Sequence, residues 1–229
     1  MKKPDFKITA KIIGILYIIG TVTGTLSVSF LSALKSPDYL SEISKNPNSL
    51  IFGALLVLAM GLSLAMIPAF MFPILKKYNE ALGIGYVIFR GALETFTYII
   101  RSVGYLALSL LGAAYAAGTR DLSNAGAAVK AITDSSVNAF IFGAGALIFY
   151  AALYKYRLIP KWLSGFGIIA VLLHIISGVL VMFGLQENFD TGSLVMNLPI
   201  AVQEMIMAVW LIVKGFSKQI TEDIKNEIK

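Results

Sequence analysis

The chain has 229 residues, 57% of them hydrophobic and 14% charged, with a mean hydropathy of +0.79 and a net charge of +6. A soluble domain carries about 25% charged residues, so these charges are too few to cover a water-facing surface and the apolar residues too many for one core. There is no cysteine and a single histidine, His174, which excludes disulfides, thiol chemistry and Cys or multi-His metal sites, speaks against haem ligation, and leaves no cofactor to expect.

A bilayer core of about 30 Å takes about 20 predominantly apolar residues in a helix. Six stretches qualify, at approximately 8–34, 49–75, 82–112, 136–154, 161–185 and 193–214. Lipid offers the backbone no hydrogen bonds, and the alternation of barrel strands is missing, so the predicted class is all-α: a polytopic transmembrane helix bundle. Residues 1–216 would form one six-helix domain and 217–229 a cytoplasmic amphipathic tail.

In chain order, Met1-Lys2-Lys3 before an apolar run resembles a secretion signal. The run from Ile8 to Leu34 is too long for one and no clear A-x-A site follows, so it is read as the first span, with Lys11 snorkelling at its inner end. On this span Tyr17, Thr21, Thr25 and Ser32 share a face beside Gly20 and Gly24, a small-xxx-small pair that lets helices approach closely. In the following loop, Ser36 before Pro37 predicts a helix start, with Leu40 and Ile43 on one face. Pro68 and Pro73 in span two and Pro199 in span six remove backbone hydrogen bonds and predict bends. The hairpins of spans two–three and four–five share an apolar run, a Lys-Tyr cluster and a Gly-containing span; a duplication, or the common inner position of two loops, would produce this. After Gly215, Ile220, Ile224 and Ile228 recur every four residues beside Lys and Glu, as in a helix lying on the inner membrane surface or in a solvated tail.

Basic residues set the orientation. With the N-terminus inside, the inner segments hold thirteen Lys and Arg and the outer loops four: Lys35, Lys45, Arg120 and Lys130. Both termini are therefore expected in the cytoplasm. The basic excess is topological, so no nucleic-acid partner is expected; the bilayer is the main partner, with attraction to anionic lipid an added effect.

The third span carries Arg90, Glu94 and Arg101, whose offsets fall within about 40° at 100° per residue, with Tyr86 and Thr97 on the same face. A central arginine or aspartate facing lipid would cost at least about 2.5–3.5 kcal/mol, so this stripe must face the interior. Span six carries Glu204, with Asn197 seven residues earlier on its face and Gln203 pointing elsewhere. At 1.5 Å per residue, Glu94 lies about 18 Å from the inner start of its span and Glu204 about 16 Å from the outer start of its own, both near the midplane. Two Arg against two Glu suggest either a neutral network tying the spans together or the lining of a site. In such a site the arginines would hold anionic groups, and a glutamate would carry a proton or pair with a cation. His174 in span five is expected to be an interior hydrogen-bonded group, with proton relay as its alternative role.

No G-x-S-x-G, H-E-x-x-H or Walker sequence occurs, and Ser177 three residues from His174 is no evidence of a dyad. Three blocks resemble a known family. They are Lys76-Lys77-Tyr78-Asn79-Glu80 leading to Gly85-Tyr86, Phe89-Arg90 and Glu94; Tyr154-Lys155-Tyr156-Arg157-Leu158-Ile159-Pro160-Lys161-Trp162-Leu163-Ser164; and Leu198-Pro199-Ile200-Ala201-Val202-Gln203-Glu204-Met205 leading to Trp210-Leu211-Ile212-Val213-Lys214-Gly215-Phe216. Together they resemble the bacterial membrane-protein family called domain of unknown function 4386. The resemblance implies a multi-span protein of a bacterial cytoplasmic membrane and carries no activity with it. The functional expectation is a protein that binds or transports a small molecule or ion through Arg90, Glu94, Arg101 and Glu204. A non-catalytic partner, regulatory or immunity subunit is the alternative, and an intramembrane enzyme acting on lipid comes third.

Overall fold

The computed structural model describes residues 6–119, 121–188 and 190–217; the expected helix around Ile220, Ile224 and Ile228 lies outside them. They are helical almost throughout, without a strand. Six helical stretches are long and apolar enough to cross a membrane. These are α1 (Phe6–Phe30), α3 (Pro47–Tyr78), α4 (Glu80–Tyr86) running on into α5 (Glu94–Ala116), α7 (Val137–Lys155), α8 (Lys161–Met182) and α9 (Thr191–Val213). The all-α polytopic bundle read from the sequence is the fold class observed. Its outward faces are apolar: Phe96, Val103, Ile169 and Leu198 are each about 60% exposed. Water would penalise that surface, whereas hydrocarbon accepts it while the helices satisfy their own backbones.

The helix starts follow side-chain caps. Asn79 Oδ1 accepts from Leu82 N at 3.1 Å and opens α4. Asp190 opens α9, accepting from Ser193 N at 2.6 Å, Gln186 Nε2 at 3.1 Å and Glu187 N at 3.2 Å, and the bond from the Ser193 backbone leads in holding its carboxyl below the usual range. In the first outer loop α2 (Tyr39–Lys45) starts later than Ser36-Pro37 suggested. The Ser36 hydroxyl accepts from Asp38 N at 3.2 Å, a local turn that holds the chain out of the helix for two more residues. Leu40 and Ile43, read as sharing one face, are both buried. A further helix, α6 (Ser123–Thr133), precedes α7 and was not foreseen.

The described chain forms two compact units. One comprises residues 6–19, 63–94, 136–188 and 190–217. Within it α7 packs on α8, α8 on α9, and α7 also on α4 and the turn that follows α4. The Ser63 hydroxyl donates to Leu16 O at 2.8 Å, tying α3 to α1. α1 passes close to α9 at Gly14, where a Cβ would lie 2.6 Å from Ala208 O. The other unit comprises residues 20–62, 95–119 and 121–135. There Ser109 Oγ donates to Pro47 O at 2.8 Å, Lys130 pairs with Asp134, and Gly24 packs on Met60.

Because a backbone carbonyl cannot rotate away as a side-chain end can, Gly14→Ala should destabilise the protein by about 1–3 kcal/mol. Gly165→Ala, whose Cβ would meet nothing nearer than 3.8 Å, should leave thermal melting in detergent unchanged.

Candidate functional site

Between α4 and α5 the third span widens into a π-helical turn over Val87–Leu93, closed by the Glu94 N–H bonding to Phe89 O five residues back. Such turns occur disproportionately at functional sites. Gly145 of α7 presses against this turn: a Cβ there would come within 3.2 Å of both Arg90 N and Phe89 Cβ. The close approach leaves the Arg90 side chain enclosed among helices, 2% exposed.

The Arg90 guanidinium is shared by two carboxylates. Its Nη1 donates to both oxygens of Glu94 at 3.1 Å, and its Nη2 donates to Glu204 Oε1, also at 3.1 Å. Glu94 is fully buried, while the Glu204 side chain keeps 13% exposure. Aromatic rings complete the enclosure. The guanidinium carbon lies 4.9 Å from the Phe142 ring centre and 5.8 Å from that of Tyr17, favourable placements for a cation against a π face. Tyr86 stacks on Phe149 at 4.7 Å, and Phe149 leads to Tyr150 at 5.4 Å. The Tyr150 hydroxyl donates to Gln203 Oε1 at 2.6 Å, and Gln203 Nε2 donates to Leu163 O at 3.1 Å, joining α7, α9 and α8.

A second polar cluster lies behind Phe142. His174 meets the other side of this system, with its ring 4.8 Å from Phe142 in an edge-on contact. His174 Nδ1 lies 2.5 Å from Asn197 Oδ1. Asn197 Nδ2 in turn donates to Ser193 O at 2.8 Å and to the hydroxyls of Ser177 and Ser193 at 3.2 Å. Phe142 therefore touches both the shared guanidinium and the histidine.

Of the residues singled out in the sequence, Arg90, Glu94 and Glu204 meet directly, Tyr86 belongs to their aromatic shell, and His174 pairs with Asn197 one ring away. Thr97 and Arg101 belong to the other unit. There Arg101 Nε donates to Thr133 O at 2.9 Å, a carbonyl at the C-terminal end of α6, where helices leave acceptors unsatisfied. The expected balance of two arginines against two glutamates thus gives way to one arginine between two glutamates. Every other Lys and Arg described in the first unit is exposed. Gln203, expected to point away, is fully buried beside the site, and Tyr17, Phe142 and Tyr150 join it too. The usable signal was an amide and phenols within apolar helices, each of which needs an interior partner.

The fold and this cluster define a class: a multi-span α-helical membrane protein with a buried arginine–carboxylate site. Within that class, the chain belongs to the family described as Domain of unknown function (DUF4386), which it matches over residues 12–215. Neither a curated protein nor a solved structure matches it.

Tyr150→Phe leaves a buried amide oxygen without its donor and should cost about 1–3 kcal/mol. Tyr154→Phe, at a 41% exposed position, should leave the melting temperature in detergent where it was.

Proposed function

We propose that this chain is a multi-pass protein of a bacterial cytoplasmic membrane that binds and exchanges a proton or a small monovalent cation at Glu204. The observation that carries this reading is the charge count around Arg90: one guanidinium faces two carboxylates. With both ionised, the cluster has one negative charge in excess, in surroundings where an uncompensated charge costs several kcal/mol. A proton or cation cancels it. Glu204 is the member that takes it, because Glu94 is enclosed and bonded through both oxygens, whereas Glu204 offers Arg90 one oxygen and retains some exposure. An anionic ligand is a poorer fit, since Glu94 and Glu204 already occupy Nη1 and Nη2 of Arg90.

Liposomes holding the purified protein should pass protons or monovalent cations down an imposed gradient, reported by a trapped pH dye and by sodium or potassium indicators. Glu204→Gln should reduce that flux to the level of empty liposomes. Absence of flux for all three ions, or an undiminished flux in the variant, would contradict the proposal and favour a partner subunit working through helix contacts.

The orientation in this proposal rests on the thirteen-to-four distribution of basic residues. The chain has no cysteine of its own, so single cysteines report cleanly. A membrane-impermeant maleimide added to intact cells should label Lys45→Cys at once and Lys77→Cys only after permeabilisation; the opposite pattern would invert the topology.

A further inference from the structure

At the end of the first unit where α7 stops, α8 begins and α9 ends, a cleft of about 420 Å³ is lined by Arg157, Lys161, Lys214, Trp210, Phe216 and Ser217 among others, with no acidic residue among the described residues of its wall. Its three cations come from three separate elements: the turn after α7, the first residue of α8 and the residue after α9. Like charges brought together without a counter-charge repel one another, and a bound anion relieves this. The N-terminus of α8 opens at the same place with no side-chain cap, adding the positive end of a 22-residue helix. The Ser217 hydroxyl oxygen is buried there with no partner among the described residues, while its backbone N–H donates to Leu158 O at 2.9 Å and ties the end of α9 to the Arg157 turn.

Leu158 N bonds to Leu153 O and Arg157 N to Tyr154 O, the pair of bonds that ends a helix through a residue in the left-handed conformation. Arg157 takes that position, at φ 52°. Everywhere else in the described chain where φ is positive the residue is glycine: Gly118, Gly184 and Gly215. Gly118 and Gly184 close α5 and α8 with the same pair of bonds. A non-glycine residue in this conformation carries backbone strain. Glycine would take this conformation without that strain, and the arginine that stands here lines the cleft.

We infer that this cleft is a phosphate-binding site and that its occupant is the headgroup of an anionic phospholipid. The cleft lies at a basic end of membrane-crossing helices, and Trp210 in its wall and the exposed Trp162, next in sequence to Lys161, have the amphipathic rings that settle at headgroup depth. Basic pockets between spans hold such headgroups. This inference is independent of the exchange of ions at Glu204.

The test is the melting temperature of the full chain in a neutral detergent, with added phosphatidylglycerol, phosphatidylcholine or inorganic phosphate. Phosphatidylglycerol should raise it by about 3 °C or more, with the rise shrinking as salt is added. Phosphatidylcholine and inorganic phosphate should not. Arg157→Gly should melt at or above wild type without lipid, because the strain is gone, yet lose most of the phosphatidylglycerol shift. Lys214→Gln should lose part of the shift and melt at or slightly above wild type without lipid, because one of the mutually repelling charges is gone. No shift in the wild type, or an equal shift in wild type and both variants, would overturn the site. An equal shift with inorganic phosphate would overturn the lipid as its occupant.

Discussion

A guanidinium enclosed by hydrocarbon must find its counter-charges within the protein, and much of the first unit is arranged to supply them for Arg90. Glu94 comes from the same helix one turn on, and Glu204 from α9, 114 residues later in the chain. The ion pair therefore does what a hydrophobic contact cannot do in lipid, where apolar side chains are as content against acyl chains as against each other. It gives the π-helical turn that carries Arg90 and α9 a directional reason to associate. The π-helical turn and the close pass of Gly145 bring α7 against the backbone of Arg90, and Phe142 of α7 then lies within 4.9 Å of the guanidinium.

The same geometry makes the two carboxylates unequal. A single guanidinium bonded to two carboxylates is one charge short, and the shortfall falls on the carboxylate with fewer bonds and more exposure. Around it the polar groups are coupled in short runs rather than scattered. Tyr150, Gln203 and the Leu163 carbonyl form one run; His174, Asn197 and the serines form another, with Phe142 between the second and Arg90. Polar side chains inside a membrane are retained where they satisfy one another, and these do so across three helices.

Much of this was legible in the sequence, for physical reasons that also explain what was not. Six apolar runs of spanning length are a coarse signal that bilayer thickness reads directly, and α1, α3, α5 and α7 to α9 are there. Arg90, Glu94 and Glu204 stood out because charge in an apolar helix has no cheap alternative to the interior. Partner choice was not legible. A regular 100° step put Arg101 on the stripe with Arg90 and Glu94, but that arithmetic says nothing of which neighbour supplies an acceptor. The acceptor came from α6, whose 11 residues fall short of a span and start without a side-chain cap, so neither bilayer length nor a capping residue marks it in the sequence. Neither could that step anticipate the π-helical turn at Val87–Leu93. Periodicity gives Gln203 a different direction from Glu204, and that direction is the one in which Tyr150 and the Leu163 carbonyl lie.

The most direct test of a shared guanidinium with one surplus carboxylate is the melting temperature, in detergent, of Glu204→Gln and Glu94→Gln beside the wild type. Glutamine at 204 keeps an oxygen for Nη2 and makes the cluster neutral, so that variant should melt at or above wild type. Glutamine at 94 also leaves the cluster neutral, but it sets an amide NH₂ against Nη1 in a fully enclosed site, and that unsatisfied donor should cost about 1–3 kcal/mol. A comparable fall in both variants would contradict the account, since each carboxylate would then be needed for the fold and neither would be in excess.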